Sequence, residues 1–430
     1  MTAFIEKEQE YIKSKIKELG YEIDNVVLNT SSRPEFGDYQ YNGAMELAKA
    51  NHTNPREIAT KIVDSIKEDD RYQDINIAGP GFINITFKEE ALIDHVNELN
   101  SNINLNYENE NKKKIYLDYG GANVAKALHV GHLRSANIGE ALNRLAKSLG
   151  NETISDAHLG DWGRPIGLVM KEIKDRFPEL PYFDKEYNGE YPKECPVTAE
   201  DLILIYPIAS DKAKYDEEYL NEARDITARF QNKEKGLMEL WKQIMEISKA
   251  DIKNIYDQLN AHFDIWEGES DGAEYMDELV EVLKNKHVVE KSEGAEVVYI
   301  SKEDDDHEVP PLILIKSNGS ASYDTTDLAC ILERMKKFNP DEIWYITDAR
   351  QSLHFEQVFR AARKGEIVND NTVLEHFPFG TMNGADGKPF KTRDGGVMAL
   401  TDLLDMVTTE CEKKILPNIT GEERNTIAHL

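Results

Sequence analysis

Residues 112–150, KKKIYLDYGGANVAKALHVGHLRSANIGEALNRLAKSLG, constrain the fold more than any other stretch. After a basic start, Ile115 and Leu117 alternate as in a strand, and a Gly/Ala/Asn-rich turn follows. Ile138, Leu142, Leu145 and Leu149 recur at helical spacing and predict an apolar stripe, with Gly150 where the helix stops. His129-Val130-Gly131-His132 lies where that helix begins. A glycine-containing turn between a strand and a helix N-terminus offers backbone N–H groups and a helix dipole to a phosphate. Two imidazoles three positions apart share a face beside the same anion. The pair also suits a metal or a plain surface. HEXXH-type metal sites, however, place their histidines four apart around a glutamate, and this run does not. The strand–turn–helix setting favours nucleotide chemistry.

The 430 residues suffice for two or three domains with a large core. No run of some 18 apolar residues exists, so no membrane span is expected. The start, MTAFIEKEQEYIKSKIKELG, mixes charges and does not read as a secretion signal. Cys195, Cys330 and Cys411 are far apart without CxxC spacing, which argues against disulfides and structural zinc and fits a reducing cytoplasm. The net charge of −29 favours an acidic enzyme of small molecules. An RNA partner would need the basic residues gathered on one face.

Residues 1–107 read as a small α+β unit. Ile5, Ile12, Ile16 and Leu19 mark a first helix closed by Gly20, and Asn54-Pro55 caps a second carrying Ile58, Ile62 and Ile66. Ile75/Ile77 and Ile83/Ile85/Phe87 alternate around Gly79-Pro80-Gly81 as two strands and a turn. The tract SNINLNYENENKKK reads as a linker. From about 108 to 380 the pattern is α/β. ETISDAHLGDWG supplies a second strand and a loop with His158, Asp161 and Trp162, at a strand end where open α/β sheets bind ligands. Helices expected near 213–232 and 234–260 form an insertion spanning about 171–260. The apolar segments 295–300, 311–316 and 341–347 suit strands of a parallel sheet covered on both faces. Tyr323 and Asp327, four apart at a helix start, point the same way. Gln351, His354 and Phe355 open a later helix.

GGANVAKALHVGHLRSANIG resembles the HIGH region of class I aminoacyl-tRNA synthetases, and of arginyl-tRNA synthetases in particular. YDTTDLA, ITDARQSLHFEQVFRAARKG and DGKPFKTRDGGVMALTDLLD are similar to the same family and stand in its order. FGDYQYNGAMELAK, NPREIA and AGPGFINITF resemble its N-terminal domain, which contacts the tRNA elbow. The resemblance implies an α/β, Rossmann-like parallel-sheet catalytic domain with a helical insertion, preceded by a small α+β domain. It implies activation of L-arginine by ATP, carried with Mg2+, and transfer to tRNA(Arg) by a cytoplasmic monomer without zinc.

Carried over residue by residue, His129, Gly131 and His132 handle ATP. Pro389–Gly395 matches the KMSKS loop, with Lys391 and Arg393 as its cations and Thr392 where the second lysine stands. Lys126, just ahead of the histidines, substitutes for that lysine. Asp118, Tyr323 and Asp327 surround the substrate guanidinium, while Asn123 and Gln351 hold its α-amino and carboxylate groups. Gly121 stands where the family often has serine. The family continues past this loop into a helical anticodon-binding domain, whereas here 35 residues follow Gly395. Residues 381–430 are therefore expected to be only the start of that region, and the chain to be a truncated form or short relative impaired in charging. The alternatives are a small-substrate nucleotidyltransferase of the HxGH type and a non-catalytic paralogue binding arginine or tRNA.

Overall fold

The structure is a computed structural model that describes residues 4–31, 36–101, 111–381, 383, 398–416, 419–421, 423 and 426–427. The chain divides into two compact units, one of residues 1–110 with 148–150 and one of 111–147 with 151–430.

In the first unit the elements run α1 (Phe4–Glu18), β1 (Leu28–Thr30), β2 (Tyr39–Tyr41), α2 (Ala44–Ala50), α3 (Pro55–Ile66), β3 (Tyr72–Ala78), β4 (Phe82–Phe87) and α4 (Glu89–Ser101). Asn54 caps α3, its side chain accepting from the Arg56 N–H, and Pro55 occupies the first helical position, where a missing N–H costs nothing. The strands form an antiparallel sheet in the order β1-β2-β4-β3. Ile12 and Ile16 of α1, Ile58, Ile62 and Ile66 of α3, and Ile83 and Ile85 of β4 share one core. The apolar spacing in the sequence is that core.

The second unit opens with β5 (Lys114–Asp118), α5 (Val130–Ser148) and β6 (Glu152–Asp156). Four helices follow: α6 (Arg164–Arg176), α7 (Ala199–Tyr215), α8 (Glu217–Gln231) and α9 (Lys235–Gln258). Then come α10 (Glu269–Ala273), α11 (Met276–Asn285), β7 (Glu290–Ser292), β8 (Ala295–Val298), β9 (Leu312–Ile315), α12 (Tyr323–Phe338), β10 (Glu342–Asp348), α13 (Ser352–Lys364), β11 (Val373–Phe379) and α14 (Leu400–Lys414). Strands β11-β10-β5-β6 make a wholly parallel sheet, so Asp118, Asp156 and Asp348 end their strands along one edge.

Three expectations are corrected here. Segments 295–300 and 311–316 do not join the parallel sheet; β7-β8-β9 form a separate antiparallel one. In β9, Leu312 and Leu314 are buried while Ile313 is 40% exposed, so an unbroken apolar run serves a one-sided strand. On α5 the expected stripe is only partly the buried face. Ile138 and Leu145 are exposed and Leu142 packs on Ile115 and Leu117, while Ser135, Ala136, Gly139, Glu140, Asn143 and Ala146 are buried; at Gly139 a side chain would run into the Tyr119 ring. The insertion is longer than two helices, since α7 precedes them. Thr198 and Asp201 give α7 a capping box that starts it, and Pro207, a breaker by propensity, lies inside it. Ile205, Ile226, Phe230, Leu237, Leu240 and Ile244 bind the insertion into one core with Ile166 and Ile173 of α6.

Candidate functional site

At the start of α5 the two histidine rings lie 4.0 Å apart, centroid to centroid. The Gly131 N–H donates to His129 Nδ1 at 3.0 Å, and the His129 N–H donates to His132 Nδ1 at 3.0 Å. The Val130 N–H goes to the Met398 carbonyl and the His132 N–H to that of His129. The expectation that these backbone donors stay open to a phosphate is therefore corrected: this helix start is already satisfied. The polarity is instead passed through the rings. With Nδ1 accepting, each neutral imidazole carries its proton on Nε2. Burial lowers His129, and burial together with His129's own charge lowers His132 to about 3, so both rings are neutral donors at pH 7. Gly131 permits the arrangement, since a Cβ there would sit 2.8 Å from His129 Cε1.

Cations gather around this pair. Lys126 is close enough to depress both histidines, and its Nζ rests 4.4 Å from the Tyr206 ring of α7. Arg350, in the turn after β10 that also holds Gln351, depresses His129 as well. Lys391 and Arg393 lie outside the described residues, but both flanks of their segment are tied down here. Arg134 of α5 donates to the Gly380 carbonyl, and on the far side Leu400 donates to the Leu128 carbonyl at 2.8 Å.

The strand ends build the second half. The Gly120 N–H donates to Ser135 Oγ, which donates on to the Ile346 carbonyl, fastening the turn after β5 to α5 and β10. Beyond the turn, Asn123 pairs in parallel with Gly160, and Leu159 with Gly268, so three segments run side by side up to Glu269. Asp118 is buried and already paired: Arg334 Nη2 of α12 meets its Oδ2 at 2.6 Å and Asp156 Oδ2 at 3.6 Å. Burial pushes Asp118 up while Arg334 pulls it back, and Asp156 is held below its usual range against burial by His158 and Arg334. Asp161 accepts from the Ser270 N–H and hydroxyl, which makes it the anchor of α10, and Trp162 packs on Phe230 and Trp241.

Tyr323 and Asp327 do share a face. Asp327's charge is the first cause, ahead of burial, of a Tyr323 hydroxyl held far above the usual phenol range, and Glu269 and Asp118 add to it. Glu269 escapes the sequence reading. It is half-buried at the first position of α10, has no ion-pair partner among the described residues, and burial followed by Asp327 and Asp161 raises it to about 7. Among 80 acidic residues its sequence carries no signal; only its neighbours do. Arg334, which occupies Asp118, escaped for the same reason. Asn123 is half-buried and Gln351 exposed at this edge. Asp327, Glu269 and Tyr323 thus form an acidic, part-desolvated recess in which, among the described residues, no lysine or arginine bonds Asp327 or Glu269.

The family profile for class I tRNA synthetases (R), catalytic domain, matches residues 95–429, and that of the arginyl tRNA synthetase N-terminal domain matches residues 6–87. The chain belongs to the arginyl-tRNA synthetase family. It is 44% identical over 419 residues to the arginine–tRNA ligase of Alkaliphilus oremlandii, covering 97% of this chain and 71% of that one. It is 46% identical over 411 residues to that of Agathobacter rectalis, covering 95% and 69%. Arginyl-tRNA synthetases from Plasmodium falciparum (TM-score 0.71, 23% identity, 98% of this chain and 72% of that one) and Thermus thermophilus (0.69, 18%, 99% and 73%) share its fold. It is a class I synthetase built on a parallel sheet. Among the described residues no cluster of three or more His, Cys, Asp or Glu is placed to hold a metal, and no helix is long and apolar enough to cross a membrane.

Proposed function

We propose that this synthetase joins L-arginine to ATP and passes the arginyl group to tRNA(Arg). The observation that carries the reading is the acidic group of Asp327 and Glu269 beside Tyr323, in which no described lysine or arginine bonds either carboxylate, together with the two histidine donors at the start of α5. A planar cation is the group that such a recess accepts, because paired carboxylates fix its geometry as well as its charge.

In the first step an oxygen of the arginine carboxylate bonds to the α-phosphorus and the bond to pyrophosphate breaks. The protein adds no covalent chemistry; it positions and stabilises charge. Asp327, Glu269 and Tyr323 hold the guanidinium, with Asp118 behind them balanced by Arg334. Asn123 and Gln351 hold the α-amino and carboxylate ends. His129 and His132 donate from Nε2 to the phosphates, over Gly131, as charge moves onto pyrophosphate, and Lys126, Lys391 and Arg393 supply positive charge. Mg2+ arrives with ATP as part of the substrate. In the second step a terminal ribose hydroxyl of tRNA attacks the arginyl carbonyl and AMP leaves. Residues 1–107 serve the tRNA elbow, 108–380 the chemistry, and 381–430 the loop and the region after it.

ATP–pyrophosphate exchange in the presence of tRNA(Arg) tests this. Arginine supports exchange, and citrulline, nearly isosteric but neutral, is rejected by roughly four orders of magnitude because it leaves buried carboxylates unpaired. Equal rates with both amino acids overturn the reading.

A further inference from the structure

Asp327 does not face the recess unaided. In the first turn of α13, His354 directs Nε2 to Asp327 Oδ2 at 2.6 Å and Nδ1 to Asp324 Oδ1 at 2.8 Å. Its ring also lies 5.2 Å from that of Tyr323 and 5.2 Å from that of Phe355. The two aspartates stand three apart at the start of α12, so one imidazole bridges neighbouring carboxylates of one helix from a second helix. Asp324 further accepts from the Ser322 hydroxyl, and His376 of β11 also senses the charge of His354.

Bonding to two carboxylates requires a proton on both ring nitrogens. Burial disfavours that charge, but the hydrogen bonds to Asp324 and Asp327 outweigh it and raise His354 to about 9. The three groups then carry a net charge of −1 rather than −2. No other described residue bonds the Asp327 carboxylate, so with Oδ2 occupied, Oδ1 is the oxygen left for a ligand. Without the imidazole, two carboxylates three apart on one helix would repel each other, and the Asp327 side chain would be free to rotate out of the recess.

We propose that His354 is a positioning residue for arginine: by capping one oxygen of Asp327 it holds the other toward the guanidinium. This rests on the reading of the recess as the arginine site. The bond to Asp327 does the positioning, and the bond to Asp324 serves only the fold.

The two ring nitrogens can be tested separately. A glutamine amide reaches about where Nε2 lies and an asparagine amide about where Nδ1 lies, so His354→Gln keeps a donor for Asp327 and His354→Asn keeps one for Asp324. Calorimetric titration of the intact protein with arginine, and separately with ATP, reads the outcome. His354→Asn weakens arginine binding by ~10- to 100-fold, the range for losing a hydrogen bond to a charged group, while ATP affinity stays within about twofold. His354→Gln stays within about threefold of wild type for both ligands. Equal losses in the two variants, no loss in either, or a matching loss of ATP affinity overturn the proposal. Wild-type protein that does not bind arginine at all overturns the recess reading and this proposal together, which separates the two failures.

Discussion

The backbone N–H of Leu400 donates to the carbonyl of Leu128 at 2.8 Å, joining the residue that begins α14 to the turn just before the histidine pair. With Arg134 holding Gly380, a segment that is remote in sequence starts and returns beside His129. Lys391 and Arg393 belong to that segment. Replacing either by alanine is expected to lower arginine-dependent pyrophosphate exchange by about a hundredfold, as loss of a charge-stabilising donor does, with the calorimetric arginine affinity unchanged. A variant that loses arginine affinity instead would place these cations at the wrong substrate.

The histidines are expected to act as neutral donors. His132, lowered to about 3, gains no proton between pH 6 and 8, and burial lowers His129 in the same direction. Exchange should show no histidine-like inflection from His132 over that range. Alanine at either position should cost about a hundred- to thousandfold in exchange rate. An inflection near pH 6.5 that disappears in His132→Ala would show the ring to be charged in the working enzyme.

Glu269 gives a signed pH dependence. Its folded value of about 7 is above the carboxylate norm, so between roughly pH 4.5 and 7 the unfolded chain loses this proton more readily than the folded one. Stability drawn from the neutral form is therefore present at low pH and lost as pH rises toward 7. Glu269→Gln should raise the melting temperature at pH 7.5 while abolishing measurable arginine binding. In the wild type, arginine should bind more tightly at pH 8 than at pH 6, with release of a proton seen as a buffer-dependent binding enthalpy. A glutamine variant that binds arginine normally would remove Glu269 from the recess.

His354 works in the opposite sense. Its folded value of about 9 lies above the histidine norm of roughly 6.5, so its contribution is complete below pH 6.5 and is lost as pH climbs through about 9. The melting temperature of the wild type should fall between pH 7 and 9.5, and that of His354→Gln should fall less. Identical slopes would mean that the ring is not protonated in the fold.

Gly139 tests the packing of α5. A Cβ there would lie 2.2 Å from Tyr119 Cγ, inside a ring that is fully buried and hydrogen-bonded through its hydroxyl to Glu140. Gly139→Ala should destabilise the protein by at least ~1–3 kcal/mol in urea unfolding, as overpacking does. An unchanged unfolding midpoint would show that the ring can yield.

What could be read along the chain was whatever depends on neighbours in sequence. His129 and His132 share a turn of helix, Asn54 caps the helix it precedes, and Tyr323 and Asp327 are four apart, so spacing alone brings each set together. The ordered family motifs added the chemistry. The three-dimensional fold decided everything that depends on which face meets which. It buried Gly139 and Ala146 of α5 and left Ile138 and Leu145 outside, because at Gly139 the Tyr119 ring leaves no room for a side chain. Segments 295–300 and 311–316 went to an antiparallel sheet of their own, since an apolar run does not specify its partner strand. Arg334 was brought to Asp118 across 216 positions, Glu269 into the recess, and His354 onto Asp327. Burial and pairing of charge are properties of the assembled neighbourhood, and a chain holding 80 carboxylates does not mark in its sequence the few that desolvation turns toward a substrate.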